Sequence, residues 1–291
     1  MNAPRRRDGI ARLREQGISE RRAGGLVGLS RSVLRYSPTT HNTPEWEERI
    51  RVLAAAQVRW GYRRVWEWLR REGRTVNRKR IHRLWRKLGL QVPRRKRKPR
   101  RKSRGTVPLA AQRPNHVWTW DFIHDSTRDG RGLKSLTVSD EFTREGLAIE
   151  TDRRMPAARV VEVLTRLVRQ HGAPAYVRSD NGPEFVARRV QRELAAHGIE
   201  PYYIHPGSPW ENAFGESFNG RFRDECLNVE VYDTVPEAQV VHERWRRHYN
   251  TARPHSGLGY HTPAEFKAAW RGPALGAPPP NPRIYRIGHQ T

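Results

Sequence analysis

The segment VWTWDFIH, residues 117–124, alternates large aromatic side chains with smaller ones. In an extended chain one face carries Trp118, Trp120 and Phe122, and the other carries Val117, Thr119, Asp121 and Ile123. This period of two predicts a β-strand. A carboxylate in such a strand costs free energy unless a cation or hydrogen-bond donors neutralise it, so Asp121 is the first candidate functional residue.

Alternating and periodic segments after this strand predict the rest of a sheet. The runs LKSLTVSD (133–140) and GLAIET (146–151) predict two more strands that form a meander with the first. Apolar periodicity then predicts a helix over 156–171, a strand over 175–179, a helix over 184–197 and a strand over 201–204. The predicted fold of this half is therefore a mixed five-stranded sheet with flanking helices.

A further helix is predicted from the run SPWENAFGESFNGRFR, residues 208–223. Ser208 as N-cap, Pro209 in the first turn and Glu211 at the third position form a capping-box pattern. A spacing of four residues directs Phe214, Phe218 and Phe222 toward the core. The opposite face is expected to be exposed to solvent, and it carries Asn212, Glu216, Asn219 and Arg223.

Three acidic residues of this half are candidate metal ligands: Asp121 in a strand, Asp180 after a strand and Glu216 on a helix. They offer only oxygen ligands, which Mg²⁺ and Mn²⁺ prefer. Cys226 is the only cysteine, which excludes a disulfide framework and a cysteine-rich zinc site. Three other acids of this half are interpreted as turn or surface residues: Asp140, Glu141 and Asp152.

Positive charge is concentrated in the first part of the chain. The 291 residues contain 56 Lys and Arg against 30 Asp and Glu. Residues 1–116 hold 33 of the basic and 8 of the acidic residues, whereas 117–291 hold 23 and 22. This asymmetry predicts a polyanionic partner, which we expect to be double-stranded DNA. Because no stretch approaches 18 apolar residues, neither a membrane span nor a secretory signal is predicted.

Two helical modules are predicted in the basic part. Residues 10–36 fit a helix-turn-helix pattern, with Ser19 and Ser30 as N-caps and a tight turn at Gly28. Residues 44–90 predict three more helices, of which the last is capped by Asn77. Basic side chains on the last helix of each module are the predicted DNA contacts: Arg31, Arg35, Arg78 and Lys79.

The densest charge lies at residues 93–104, PRRKRKPRRKSR, where nine of twelve residues are cationic. Such a block repels itself, so it is interpreted as an arm that binds DNA phosphates irrespective of sequence. Its candidate contacts are Arg94, Arg95, Lys96, Arg97 and Lys98. The predicted domains are a helix-turn-helix segment 1–40, a second helical module 41–92, a basic linker 93–113, a catalytic core 114–271 and a flexible tail 272–291.

The order and spacing of these motifs resemble those of a known family. Between Asp180 and Glu216 lie 35 residues, and this three-acid pattern is similar to that of polynucleotidyl transferases with the ribonuclease H-like fold. Four runs, over about residues 15–270 as a whole, resemble the second-frame transposases of the insertion-sequence family numbered three. They are WTWDFIHD (118–125), SDNGPEF (179–185), PGSPWENAFGESFNGRFRDECLN (206–228) and HYNTARPHSGLGYHTPAEF (248–266).

The resemblance implies a DDE-type transposase in which Asp121, Asp180 and Glu216 bind two Mg²⁺ or Mn²⁺ ions. Those ions would support hydrolysis at the element ends and then in-line strand transfer by a DNA 3′-hydroxyl. It also implies that Arg223 and Asn219 contact DNA. At position 215 the resemblance leads us to expect a bulky apolar side chain where this chain has glycine, which costs roughly 1 kcal/mol inside a helix.

The resemblance also implies partners and a location. In that family an upstream frame encodes a short DNA-binding protein that frameshifting fuses to the second frame. No sustained heptad repeat is present in this sequence, so we expect the upstream product to supply oligomerisation, and we expect a homo-oligomer on DNA. The expected location is the bacterial cytoplasm, in association with the nucleoid.

Two other functions fit the same residues. The first is a ribonuclease H-like nuclease without transfer activity, which the two DNA-binding modules disfavour because a simple nuclease has no need to select element ends. The second is a DNA-binding regulator whose carboxylates are idle, which the intact set of three acids disfavours. Strand transfer with pre-cleaved ends separates the first alternative, and metal-dependent nicking separates the second.

Overall fold

The computed structural model describes residues 3–36, 43–91, 109–205 and 209–272. The chain divides into two units, residues 1–49 and 50–291. Within the described ranges no helix combines the length and the apolar character that a bilayer crossing requires. The basic block at 93–104 and the predicted tail after residue 272 lie outside the described residues.

Three short helices begin the first unit: α1 (Ala3–Glu15), α2 (Glu20–Val27) and α3 (Arg31–Arg35). The predicted N-caps are confirmed, because the hydroxyls of Ser19 and Ser30 accept backbone N–H groups of the helices that follow them. Gly28 ends α2 in the left-handed conformation with φ 66°, which glycine adopts without steric cost. Ile10 and Ala23 are buried between these helices.

Three further helices precede the sheet: α4 (Thr43–Ala56), α5 (Tyr62–Arg71) and α6 (Arg78–Lys87). The predicted cap of α6 is confirmed, since Asn77 Oδ1 accepts the Lys79 N–H at 2.8 Å. In the second unit α5 contacts the C-terminal part of the chain. The Arg71 guanidinium makes two 2.8 Å hydrogen bonds to the Glu265 carboxylate, which lies far along the sequence.

Five strands form one sheet: β1 (Val117–Ser126), β2 (Gly132–Asp140), β3 (Gly146–Asp152), β4 (Tyr176–Ser179) and β5 (Glu200–Tyr203). Their order is β3-β2-β1-β4-β5. The first three strands pair antiparallel as a meander, whereas β1 with β4 and β4 with β5 pair parallel. The predicted mixed five-stranded sheet is therefore confirmed.

Helices cover both faces of the sheet and divide the core in two. On the face of Trp118 and Trp120 lie α7 (Ala157–His171), α8 (Pro183–Val186) and α9 (Arg188–Ala196). On the opposite face, where Ile123 lies, are α10 (Ala213–Phe222) and α11 (Val235–Thr251). A last helix, α12 (Pro263–Ala269), buries Phe266 in a third cluster with Val117 and Phe142. The alternation along β1 thus separates two cores.

Two predicted helix boundaries are wrong. The helix expected over 184–197 is two helices, because Ala187 has an extended backbone (φ −58°, ψ 134°) between them. The helix expected from residue 208 begins at Ala213, after a 3₁₀ turn at Pro209–Asn212. The Glu211 carboxylate accepts the His205 N–H at 3.1 Å. The predicted capping box involves Ser208, which lies outside the described residues.

Two acids interpreted as turn or surface residues are buried. Asp140 is the last residue of β2, and its carboxylate accepts the N–H groups of Asn115, Phe142 and Thr143 at 2.7–2.8 Å. Glu141 forms a buried ion pair with Arg178 of β4, with Arg178 Nη1 2.8 and 2.9 Å from the two carboxylate oxygens. Local sequence did not reveal the Asn115 and Arg178 partners, because they lie 25 and 37 residues away along the chain.

Candidate active site

Strand pairing places Asp121 and Asp180 side by side. In the parallel register of β1 and β4, Thr119 lies opposite Arg178. Two residues further along each chain are Asp121 and Asp180, so both carboxylates lie at the same level of the sheet. Helix α10 packs over β1 and β2 on the Asp121 face and carries Glu216.

The Asp121 carboxylate is half-buried and has two hydrogen-bond donors. Its Oδ1 accepts the Phe122 N–H at 2.7 Å, and its Oδ2 accepts the Asn219 side-chain N–H at 2.9 Å. Burial raises the pKa of Asp121 to about 6, and the negative charges of Asp180 and Glu216 contribute to the rise. The tertiary fold therefore brings Asp180 and Glu216 close enough to Asp121 for their charges to act on its carboxylate.

The other two carboxylates face solvent. Asp180 is exposed, and its Oδ1 accepts the Gly182 N–H at 3.0 Å, which closes the turn after β4. Glu216 is exposed on α10, and partial burial raises its pKa. Across the described residues, no Lys, Arg or His side chain forms an ion pair with Asp121, Asp180 or Glu216. These carboxylates thus form an acidic site without a protein counter-charge.

The donor set fits a hard divalent cation. Three carboxylates without an ion-pair partner supply oxygen ligands, and oxygen ligands favour Mg²⁺ or Mn²⁺ over zinc. In the side-chain conformations of the described residues, no group of three His, Cys, Asp or Glu side chains is arranged closely enough to hold an ion.

The face that α10 turns toward the sheet differs from the prediction. Phe218 and Phe222 are buried as expected, whereas Phe214 is half-buried beneath the Arg144 guanidinium, 3.5 Å from its ring centre. Two polar residues expected on the solvent face are buried instead: Asn212 and Asn219, which are 5% and 9% exposed. Glu216 and Arg223 are exposed as predicted. The error arises because the helix presents a polar strip, and not only phenylalanines, to β1.

Asn219 links the candidate site to the sheet. Its amide donates to Asp121 Oδ2, and its Oδ1 accepts the Thr137 hydroxyl of β2 at 2.8 Å. The structure places the Asn219 side chain between these two partners. Its contact with DNA stays a prediction. Sequence reasoning missed Thr137 as a member of the site. The register of β1 with β2, which pairs Asp121 with Thr137, is the signal that identifies it.

Gly215 is a close-contact position and not a defect in the helix. A Cβ atom there would lie 2.9 Å from Thr119 Oγ1 and 2.7 Å from Asn212 Oδ1. Those two atoms are themselves hydrogen-bonded at 2.5 Å in the buried contact between α10 and β1. The expected bulky apolar side chain therefore has no space, and glycine allows the helix that carries Glu216 to lie against the strand that carries Asp121.

We expect Gly215→Leu to lower the free energy of unfolding by about 1–3 kcal/mol, because the side chain must displace the contact between Thr119 and Asn212. Gly220 of the same helix is the matched control, since nothing lies within 4 Å of a Cβ there. Gly220→Ala should raise stability by up to about 1 kcal/mol through helix propensity. Urea unfolding of both variants measures the difference, and equal stability of Gly215→Leu and wild type would contradict the contact.

The remaining predicted DNA-binding residues lie on exposed surfaces. Arg223 follows α10, and its Nη2 donates to the His124 carbonyl of β1 at 3.1 Å, three residues from Asp121. Arg35 is paired with Glu20 at 3.0 Å. Three more are exposed at the start of α3 or α6: Arg31, Arg78 and Lys79. The five candidates from Arg94 to Lys98 lie outside the described residues.

Comparisons with known proteins give the family. Residues 111–209 and 197–263 match integrase core domain families, and residues 45–98 match the HTH-like domain. The chain is 42% identical to the uncharacterized 39.2 kDa protein of insertion element IS476 of Xanthomonas euvesicatoria, over 97% of this chain and 82% of that protein. It is 28% identical to the transposase for insertion sequence element IS904 of Lactococcus lactis, over 72% of this chain and 87% of that protein.

A solved structure is also similar in part. A chain of the simian T-cell lymphotropic virus intasome, solved with PP2A regulatory subunit B56 gamma, aligns with 71% of this chain and 70% of its own length. Sequence identity in that alignment is 16%, and the TM-score is 0.49. The family matches cover most of the sheet and its helices, which have the ribonuclease H-like strand order described above. This chain belongs to the insertion-element transposases with an integrase core and an HTH-like domain, and it is a polynucleotidyl transferase of the DDE type.

Proposed function

We propose that this transposase cleaves DNA at the ends of an insertion sequence and joins the freed 3′-hydroxyl to target DNA, with Asp121, Asp180 and Glu216 as its catalytic metal ligands. The observation that carries the proposal is the convergence of three carboxylates from β1, the end of β4 and α10 on one acidic site. Their all-oxygen chemistry suits two Mg²⁺ or Mn²⁺ ions.

Each protein group has a defined task in this proposal. When bound, the ions would activate water or a 3′-hydroxyl and stabilise the leaving oxygen of an in-line displacement at phosphorus. Asn219 holds one Asp121 oxygen in place, and the Gly182 N–H does the same for Asp180. Because an acidic site repels DNA phosphates, basic groups at its edge must hold the strand. Arg223, which is bonded to the His124 carbonyl of β1, is the proposed group.

The direct test is a strand-transfer assay with pre-cleaved element ends. We expect joined products in Mg²⁺ or Mn²⁺ and none in EDTA, because the three carboxylates alone cannot activate a hydroxyl. Nicking without joining would favour a nuclease, the first alternative. Binding with neither nicking nor joining in either metal would favour a DNA-binding regulator and would overturn the proposal.

DNA recognition is proposed to lie outside the acidic site. We infer that the segment 1–40 and the module 41–92 select the element ends, that the linker 93–113 binds DNA backbone, and that 114–271 carries the chemistry before a tail at 272–291. The charge of the first 116 residues and the HTH-like match at 45–98 support this division. Arg31, Arg35, Arg78 and Lys79 are the proposed contacts in the helical parts.

The basic arm is expected to bind DNA without sequence preference. Replacing Arg94, Arg95, Lys96, Arg97 and Lys98 with Ala should weaken binding to the element end and to random duplex alike. The slope of log affinity against log salt should shrink by about 0.9 for each DNA phosphate that the arm no longer neutralises. Fluorescence anisotropy at several salt concentrations measures this slope. A weakening confined to the element end, or an unchanged slope, would assign the arm another role.

A second-frame product of the insertion-sequence family numbered three would act with the protein of the upstream frame. We propose that this partner is joined to the chain by frameshift fusion. We also propose that the chain forms a homo-oligomer on nucleoid DNA in the bacterial cytoplasm, because pairing two DNA ends requires joined protomers. Four sequence runs, at 118–125, 179–185, 206–228 and 248–266, support the proposal. Transposition in cells by this frame alone and by the fused frames tests it, and equal frequencies would show that no partner is needed.

A further inference from the structure

A cavity of about 240 Å³ lies in the second unit beside α10. One face of this helix lines it with Phe214, Ser217, Phe218 and Arg221, which follow helical spacing. Other walls come from the end of β2, the end of α11 with the loop after it, and α5. Glu216, Asp121 and Asp180 are not among the lining residues, so the cavity is separate from the acidic site.

Four arginines line this cavity: Arg64, Arg144, Arg221 and Arg253. We call it the arginine cavity. One of them is neutralised, because the Arg253 guanidinium donates to both oxygens of Glu225 at 2.6 and 2.7 Å. The guanidiniums of the other three make no hydrogen bond or ion pair with any residue that the structure describes. The cavity therefore holds an excess of positive charge.

The acids near the cavity do not remove this excess. Asp140 lines it, but its oxygens accept three backbone N–H groups and not a guanidinium. Glu141 is close to Arg144 but makes its bidentate contact with Arg178. Arg144 instead lies against the Phe214 ring. Three cations thus face one space, and none of them has a carboxylate partner among the described residues.

This arrangement costs free energy in the free protein. Arg64 Nε is buried and has no acceptor among the described residues. Burial lowers the pKa of Arg64 to about 10, and repulsion by Arg253 and Arg221 adds to the effect. Burial likewise lowers the pKa of Arg144 to about 10. An unpaired buried donor is destabilising, so a bound anion that accepts these hydrogen bonds would remove the cost.

We propose that the arginine cavity binds a phosphate group through the guanidiniums of Arg64, Arg144 and Arg221. Guanidinium groups present paired donors that match phosphate oxygens, and several of them on one anion provide both affinity and orientation. The hydroxyls of Ser139 and Ser217 supply further donors in the same lining. The phosphate is either part of a DNA strand or a free phosphate compound. The proposal does not depend on the metal chemistry above, since no lining residue is a candidate metal ligand.

The test uses isothermal titration calorimetry of the full chain with inorganic phosphate in EDTA, at constant ionic strength, with chloride as the reference anion. We expect saturable binding of one phosphate per chain. Arg64→Gln and Arg221→Gln should each weaken it about tenfold, and Arg221→Lys, which keeps the charge but loses the paired donors, should weaken it less. Arg169→Gln on α7, exposed on the other face of the sheet, is the charge-matched control and should bind phosphate as wild type does.

Competition with DNA identifies the source of the phosphate. If phosphate displaces a 5′-phosphorylated oligonucleotide more readily from wild type than from Arg221→Gln, the cavity holds a DNA phosphate. If it binds without displacing the oligonucleotide, the ligand is a free phosphate compound. Absence of saturable phosphate binding to wild type, or an equal weakening in Arg169→Gln, would overturn the proposal. The thermal unfolding midpoint of each variant without phosphate shows whether weaker binding reflects a loss of fold.

Discussion

Asp180→Asn is expected to abolish strand cleavage and strand transfer while the protein still folds and binds DNA. The substitution keeps the shape of the side chain but removes one negative charge from the proposed metal site. We expect the rate to fall by roughly a thousandfold, which corresponds to about 4 kcal/mol of transition-state stabilisation. The fold should tolerate the change, because Asp180 is exposed and the hydrogen bond its carboxylate accepts comes from the neighbouring Gly182 N–H.

The measurement is cleavage and joining of labelled element ends in Mg²⁺, with binding followed separately by anisotropy. Asp233→Asn is the matched control, since this exposed carboxylate pairs with Arg128 and has no place in the site. The control should retain wild-type turnover. Retained turnover in Asp180→Asn would remove Asp180 from the catalytic set, and failure of that variant to bind DNA would show that the acid supports the fold instead.

Glu141→Gln is expected to cause the largest loss of stability. The Arg178–Glu141 pair is almost completely buried, with side-chain exposures of 1% and 0%. Removing one charge leaves a buried guanidinium without compensation, which costs about 3–5 kcal/mol, a large share of the typical stability of a domain. Because Arg178 is two residues before Asp180 on β4, the substitution should also disturb the candidate site.

Urea unfolding measures this effect, and Glu162→Gln is its control. Glu162 pairs with Arg159 at 2.7 Å on the surface of α7, where removal of an ion pair costs at most about 1 kcal/mol. The double variant Glu141→Leu with Arg178→Met should be more stable than Glu141→Gln, because no unpaired charge remains. If Glu141→Gln and Glu162→Gln unfold at the same urea concentration, the buried pair does not stabilise the fold.

Much of the fold could be predicted because local periodicity reports which residues are buried. The alternation of 117–124 places Trp118 and Trp120 on one core and Ile123 on the other, as the structure has them. Cap residues are equally local, since Ser19, Ser30 and Asn77 bond to backbone groups only two or three residues away. Local pattern also singled out Asp121 in an apolar strand and Asp180 at a strand end, whereas Glu216 was chosen with them because of its spacing from Asp180 and the family resemblance.

The helix that carries Glu216 shows where this reasoning failed. Spacing by four residues identified Phe218 and Phe222 as core, yet it assigned Asn212 and Asn219 to solvent. Their burial depends on partners from strands more than 80 residues away: Thr119 for Asn212 and Thr137 for Asn219. The sequence of a helix alone does not show which of its polar residues will be buried by hydrogen bonds to polar side chains of a sheet.

The sequence by itself determined the mixed sheet with its flanking helices, the concentration of positive charge before residue 117 and the choice of three candidate acids. Only the tertiary structure decided that Gly215 must be glycine, that Glu141 is buried with Arg178, and that three arginines without a described ion-pair partner meet in one cavity. The physical reason is that periodicity and caps depend on neighbours in the chain. Close contacts and desolvated charges depend on atoms that folding brings together from distant segments.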